Sequence, residues 1–175
     1  MSRPLLQLAA AALVFLLAAC GPRDPLERVV AADSAVAFST WRAQLAGSMN
    51  QGQLAEVDAA VGEVKLGIMN NREASGTAAV EEAMRAKVHG RPLREVLRAA
   101  YEAKIKRLEV DLKGLAIATE QNSRLTTRAG DTASSQYLDR FKQKQGERVA
   151  AAEGELREAQ AKLAALGPAP GGAKR

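Results

Sequence analysis

Two long apolar seams in the second half of the sequence constrain its fold more than any other feature. Leu97, Tyr101, Ile105, Leu108, Leu112 and Leu115 follow at intervals of 4, 4, 3, 4 and 3. Leu138, Phe141, Gln145, Val149, Ala152, Leu156, Ala159, Leu163 and Leu166 repeat that spacing, with one extra residue near Gln145. Residues three and four apart share a face of an α-helix, so each series predicts one amphipathic helix. The first should run over 92–125, about 45 Å at 1.5 Å per residue, and the second over 134–166. Glu102 and Lys106, Glu109 and Lys113, Glu153 and Arg157, and Glu158 and Lys162 stand in the favourable i,i+4 order on these helices. The polar stretch between them holds Gly130 and Asp131 and should contain the turn. Two long helices joined by a polar turn predict an antiparallel hairpin. The expected fold class is therefore all-α: a helical bundle with a long, coiled-coil-like C-terminal hairpin.

Composition agrees with closely packed helices. Apolar residues make up 47% of the 175, yet aromatics only 3%. The only cysteine is Cys20, so no disulfide can form within the chain and packing must supply the stability.

Shorter helices are expected before the hairpin. Asp24-Pro25-Leu26-Glu27 has the form of a capping box, with an acceptor at the N-cap and Pro at the first helical position. It would open a helix over 25–49, with a possible break at Asp33-Ser34. Phe38, Trp41, Leu45 and Met49 share its face and are read as core. Asn50-Gln51-Gly52 reads as a turn or helix break. Leu54, Val57, Val61, Val64 and Ile68 then form a five-point seam over 52–69. Residues 70–77 are polar and read as a loop in which Ser75 or Thr77 could cap the next helix. That helix, over 78–88, carries Val80, Met84 and Val88 on one edge and a Glu81–Arg85 pair. His89-Gly90-Arg91-Pro92 ends it: Gly90 suits a left-handed C-cap, and Pro92 the first position of the following helix. Residues 25–166 form the helical domain, and 167–175 a disordered basic tail.

Catalytic constellations are not recognisable. The sequence contains no Cys pair, no His-Glu-x-x-His, no Gly-x-Ser-x-Gly and no glycine-rich phosphate loop. His89, the sole histidine, reads as a helix-terminal residue facing the dipole rather than as a base or ligand. The expectation is a non-enzyme with no cofactor and no metal site. Charge is unevenly spread. Glu27 to Glu82 holds 4 basic and 8 acidic residues, whereas Arg85 to Lys113 holds 9 basic and 4 acidic. Acidic and basic helices packing side by side account for this asymmetry. The functional alternative is a basic face of Arg91, Arg94, Arg98, Lys104, Lys106 and Arg107 toward anionic lipid, lipopolysaccharide or an envelope polymer. Nucleic acid is not expected, because no aromatics are interleaved to stack bases.

The N-terminus indicates location. Arg3 precedes a 12-residue apolar run, Leu8 to Ala19. That is the length of a signal-peptide core and short of the roughly 20 residues a membrane-spanning helix needs. It ends in Leu17-Ala18-Ala19-Cys20, which resembles the lipobox of bacterial lipoproteins. The resemblance implies cleavage after residue 19, lipidation of Cys20 and acylation of the new amino terminus, with 20–24 as a short lipidated lead. More than one acyl chain gives stable membrane anchoring. Gly21, where many inner-membrane lipoproteins carry Asp, favours the outer membrane over the inner. The resemblance thus implies a cell-envelope protein facing the periplasm. The expected role is structural or protein-interacting, through helical seams that meet a partner or a second copy. The mature domain itself resembles no family closely enough to name.

Overall fold

A computed structural model describes residues 24–168. The expected signal peptide over 1–19, Cys20 and most of the basic tail lie outside the described residues. Five α-helices are described: α1 (Ala35–Ala46), α2 (Gln51–Asn70), α3 (Thr77–Val88), α4 (Leu93–Ser123) and α5 (Thr132–Ala165), after a short 3-10 turn at Pro25–Glu27. The molecule is an all-α bundle, and α4 and α5 form its long antiparallel hairpin.

The core lies at one end. Trp41, Leu45 and Met49 from the α1 region meet Val57, Ala60 and Ile68 of α2 and Val80, Met84 and Val88 of α3. Leu93, Val96, Leu97, Ala100 and Tyr101 of α4 join them, with Ala159 and Leu166 from the end of α5. Phe38 stacks on Trp41 with ring centroids 5.7 Å apart, so both aromatics are core groups. Beyond Leu108 the hairpin continues without α1, α2 or α3 in the buried cluster.

The expected helix over 25–49 is not continuous. Asp24 does cap, accepting from the Leu26 N–H at 2.9 Å. The turn ends at Glu27, however, whose carboxylate turns to Arg94 instead of closing a capping box. Residues 28–32 then run extended against the α3–α4 connection. Val30 donates to the Arg91 carbonyl at 2.9 Å, Gly90 to Val30 at 2.9 Å and Leu93 to Arg28 at 2.9 Å. The β-branched pair Val29-Val30 favours this extended path. The pairing satisfies backbone groups that a helix would otherwise bond internally. Ser34 restarts the helix by capping Ala37 at 3.1 Å.

Two other boundaries differ in chemistry. Asn50, read as a break, caps α2 in a reciprocal box with Gln53: each side chain bonds the other's backbone N–H, at 2.9 and 3.0 Å. Neither Ser75 nor Thr77 caps α3; Gly76, with φ +83°, occupies that position and has no side chain to offer. Gly90 follows α3 at φ +75°, as a left-handed C-cap requires. Pro92 sits just before α4 rather than as its first helical residue. Glu81 pairs with Lys65 of α2 instead of Arg85, tying α3 to α2.

Candidate functional site

The hairpin is the feature with surface left to use. Its inner seam is occupied. Leu108 is buried, and Leu112, Leu115, Leu138, Val149, Ala152 and Leu156 are half-buried between the two helices. Gln145, the one polar residue in the α5 seam, is also buried, and the Asn122 amide donates to its oxygen at 2.9 Å. An amide pair within an apolar seam admits few alternative registers, because any slip leaves both amides unpaired.

Apolar side chains also remain outside the seam. Val110 is 60% exposed, Ile117 59% and Tyr137 67%, and Leu125 is exposed too; Phe141, expected within the α5 seam, is also exposed instead of buried against α4. Tyr137 and Phe141 are the two described aromatics outside the main core, in a chain with few to spend. Lys142 donates to the Leu125 carbonyl at 3.3 Å, which sets Leu125 beside the Phe141 turn of α5. Two grooves flank the hairpin. One is lined by Leu108, Val110, Gly114 and Leu115 of α4, with the Arg107–Asp111 pair at its wall, and by Arg148, Ala151, Ala152 and Glu155 of α5. The opposite groove is lined by Leu112, Ala116, Thr119, Ser123 and Val149, with Lys113, Glu120 and Glu153 at its edges.

Four of the six basic residues singled out from the sequence hold the bundle together, and a fifth, Arg91, pairs from the α3–α4 connection with the first turn of α4. Arg94 donates to Glu27 and to Asp24, both at 2.6 Å, and to the Leu166 carbonyl at 3.0 Å. Arg98 donates to the Gly167 carbonyl. Together they gather the start and the end of the described chain around the first turns of α4. Arg107 grips the buried Glu63 of α2 through two bonds, at 2.9 and 3.0 Å, and also faces Asp111. Glu63 first, then the charges of Asp111 and Glu155, raises the Arg107 pKa above the ordinary arginine value. Lys104 reaches Glu155 at 3.3 Å, joining α4 to α5. Arg91, in the α3–α4 connection, faces Glu95 in the first turn of α4 at 3.6 Å. Lys106 is exposed and forms no ion pair among the described residues. The six do not converge on one open surface.

His89 ends α3 as its C-cap, and its ring turns to the N-terminal segment, where Nδ1 accepts the Ala32 N–H at 3.0 Å. A cleft of about 110 Å³ between α2, α4 and α5 gathers Glu56, Glu63, Tyr101, Lys104, Glu158 and Lys162. These groups satisfy one another: Tyr101 donates to Glu56, Glu158 pairs with Lys162 at 2.9 Å, and Glu63 is held by Arg107. The volume is well below the several hundred Å³ usual for organic ligands. No group of three or more His, Cys, Asp or Glu side chains is placed to hold a metal among the described residues.

Comparison with protein-family models, with curated proteins and with solved structures finds no match to this chain. No described helix is long and apolar enough to cross a membrane.

Proposed function

We propose that this is a lipid-anchored envelope protein whose α4–α5 hairpin is its interaction surface. The observation that carries the reading is the exposed set Val110, Ile117, Leu125, Tyr137 and Phe141 on the part of the hairpin that outreaches the core. Exposed aromatic and aliphatic side chains on rigid helices are the usual anchors of protein recognition. The anchor rests on the lipobox resemblance at Cys20, four residues before Asp24. Arg94 draws Asp24, Glu27 and the end of α5 to one end of the molecule. An anchor at Cys20 would therefore hold the core near the membrane. The hairpin turn at 124–131 would stand at the other end of α4, whose 31 residues span about 46 Å. Gly21 favours the outer membrane.

The alternative, binding of anionic lipid or envelope polymer through Arg91, Arg94, Arg98, Lys104, Lys106 and Arg107, has less support. Arg94, Arg98, Lys104 and Arg107 already serve internal partners. Expression in a Gram-negative host with labelled palmitate tests the anchor. The chain should carry label and fractionate with the outer membrane, and Cys20→Ser should release it. An unlabelled, freely released parent chain would remove the anchor from the proposal. Photo-crosslinkers at Ile117 and Tyr137 test the hairpin against one at Arg72, remote in sequence. Equal capture at all three would remove the hairpin from it.

A further inference from the structure

We propose that the groove lined by Val110, Gly114, Arg148 and Ala151 receives a second copy of this chain. In that contact the two α5 helices cross antiparallel at Ala151, and Arg148 of each copy faces the partner's Glu155. The proposal rests on the reading of the hairpin as an interaction surface and names its occupant.

Its basis is a second stripe on α5. Tyr137, Phe141, Lys144, Arg148, Ala151, Glu155 and Glu158 follow at 4, 3, 4, 3, 4 and 3 residues, and every one is exposed. This is coiled-coil spacing on a face that α4 does not cover. Its chemistry is ordered along the helix: aromatic, then basic, then Ala151, then acidic. Reversing the stripe about Ala151 sets Arg148 against Glu155, twice, as an isologous twofold contact demands. A parallel arrangement would set like charges together. The opposite groove has no such order, with Lys113, Glu120 and Glu153 at its edges.

Shape agrees with charge. Ala151 at the crossing point permits close approach. On the α4 side of the groove, a Cβ added at Gly114 would meet nothing within 4 Å. Nearer the core, the same side of the hairpin is already filled. Glu56, Ala59 and Glu63 of α2 lie there against Tyr101 of α4 and Ala159 and Lys162 of α5. The packing is thus three helices deep near the core and two deep toward the turn, and a partner helix supplies the missing layer. Because α2 occupies the lower part, the partner α5 must cross at an angle. The common ridge-in-groove crossing near 50° limits contact to the turns around Ala151. Glu155 has 54% of its side chain exposed beside Lys104, so it can serve both charges.

The test is a charge exchange in the full-length chain carrying Cys20→Ser, followed by sedimentation. The parent chain should self-associate. Arg148→Glu and Glu155→Arg should each weaken association by about tenfold or more, since each sets like charges across the twofold. An equimolar mixture of the two variants should associate again, as should the double variant. Circular dichroism checks that each remains helical, and both sites are exposed. In the same background Ala151→Cys should form a disulfide-linked dimer, and Lys113→Cys, on the other groove, should not. A parent chain that stays monomeric overturns the proposal, as does association unmoved by either single change or unrestored by mixing. Because the lipid is absent from these samples, a failure of the anchor would not alter any of these outcomes.

Discussion

Single side chains hold the N-terminal segment to the bundle. The Ala32 N–H is satisfied by His89 Nδ1 across 57 positions of sequence. Replacing His89 by Ala leaves that half-buried donor without its partner. The expected cost is about 1 kcal/mol, read from urea unfolding. Glu63 is a harsher case. It is buried, and Arg107 is its counter-ion. Glu63→Ala strands a guanidinium only about a third exposed, and should cost about 2 kcal/mol after allowance for water at the arginine. Glu63→Gln keeps one acceptor and should cost less. Arg42 and Asp58 join α1 to α2, and the bond from Arg42 holds the Asp58 carboxyl below the usual carboxylate range. A carboxylate with a lowered folded pKa binds fewer protons folded than unfolded. Its stabilisation is therefore complete above the unfolded value, near 3.9, and is lost as pH falls through the folded one. Arg42→Ala should flatten the urea midpoint against pH below about pH 4; an unchanged acid slope would show that other carboxylates control it.

Among the elements, the hairpin raises the question of what sets its register. Leucine and alanine seams tolerate slippage, and the Asn122–Gln145 amide pair does not. Gln145→Leu alone leaves the Asn122 amide facing an apolar side chain and should lower stability by about 1 kcal/mol. Leucine at both positions removes the unpaired group and should raise the denaturation midpoint above that of the single variant. The same double change should broaden the register, seen as new crosslinks between cysteines placed one turn out of step. A single sharp crosslink pattern in the double variant would assign register to the seam leucines instead. Arg94 works between elements in another way, with Asp24, Glu27 and the Leu166 carbonyl on one guanidinium. Arg94→Ala should speed proteolysis at Arg28 and at Lys162 together, because one contact holds both ends.

At the scale of the molecule, burial is concentrated where α1, α2 and α3 meet the first turns of α4 and the last of α5. The hairpin beyond Leu108 rests on two helices alone. Local opening follows local burial. Amide hydrogen exchange should be slowest around Leu93–Tyr101 and Ala159, and faster over 112–150 by orders of magnitude. If a second copy covers the groove, protection near Ala151 should rise with protein concentration while protection near Leu97 stays constant.

The sequence alone determined the fold class and most helix limits, because a 3.6-residue period in apolar side chains has no other economical reading. The seams of α4 and α5, the buried edge Val80, Met84 and Val88, and the Gly90 cap follow from local spacing and backbone preference. Of the local pairs, Glu153–Arg157 and Glu158–Lys162 are present, whereas Glu102–Lys106 and Glu109–Lys113 form no ion pair among the described residues. Only tertiary structure decided what distant residues do. The break at 28–34 exists because Val30 finds the α3–α4 connection, more than fifty residues on, and helix propensity carries no trace of that partner. The basic run of α4 looked like an open face because sequence shows charge without its counter-ion. Folding brings Asp24, Glu27, Glu63 and Glu155 to it from three other segments. The second stripe of α5 was present in the order Tyr137 to Glu158 all along. It became meaningful once the structure put α4 on the other seam and left this one facing solvent, since a periodic face states what it can pack and not whether something already does.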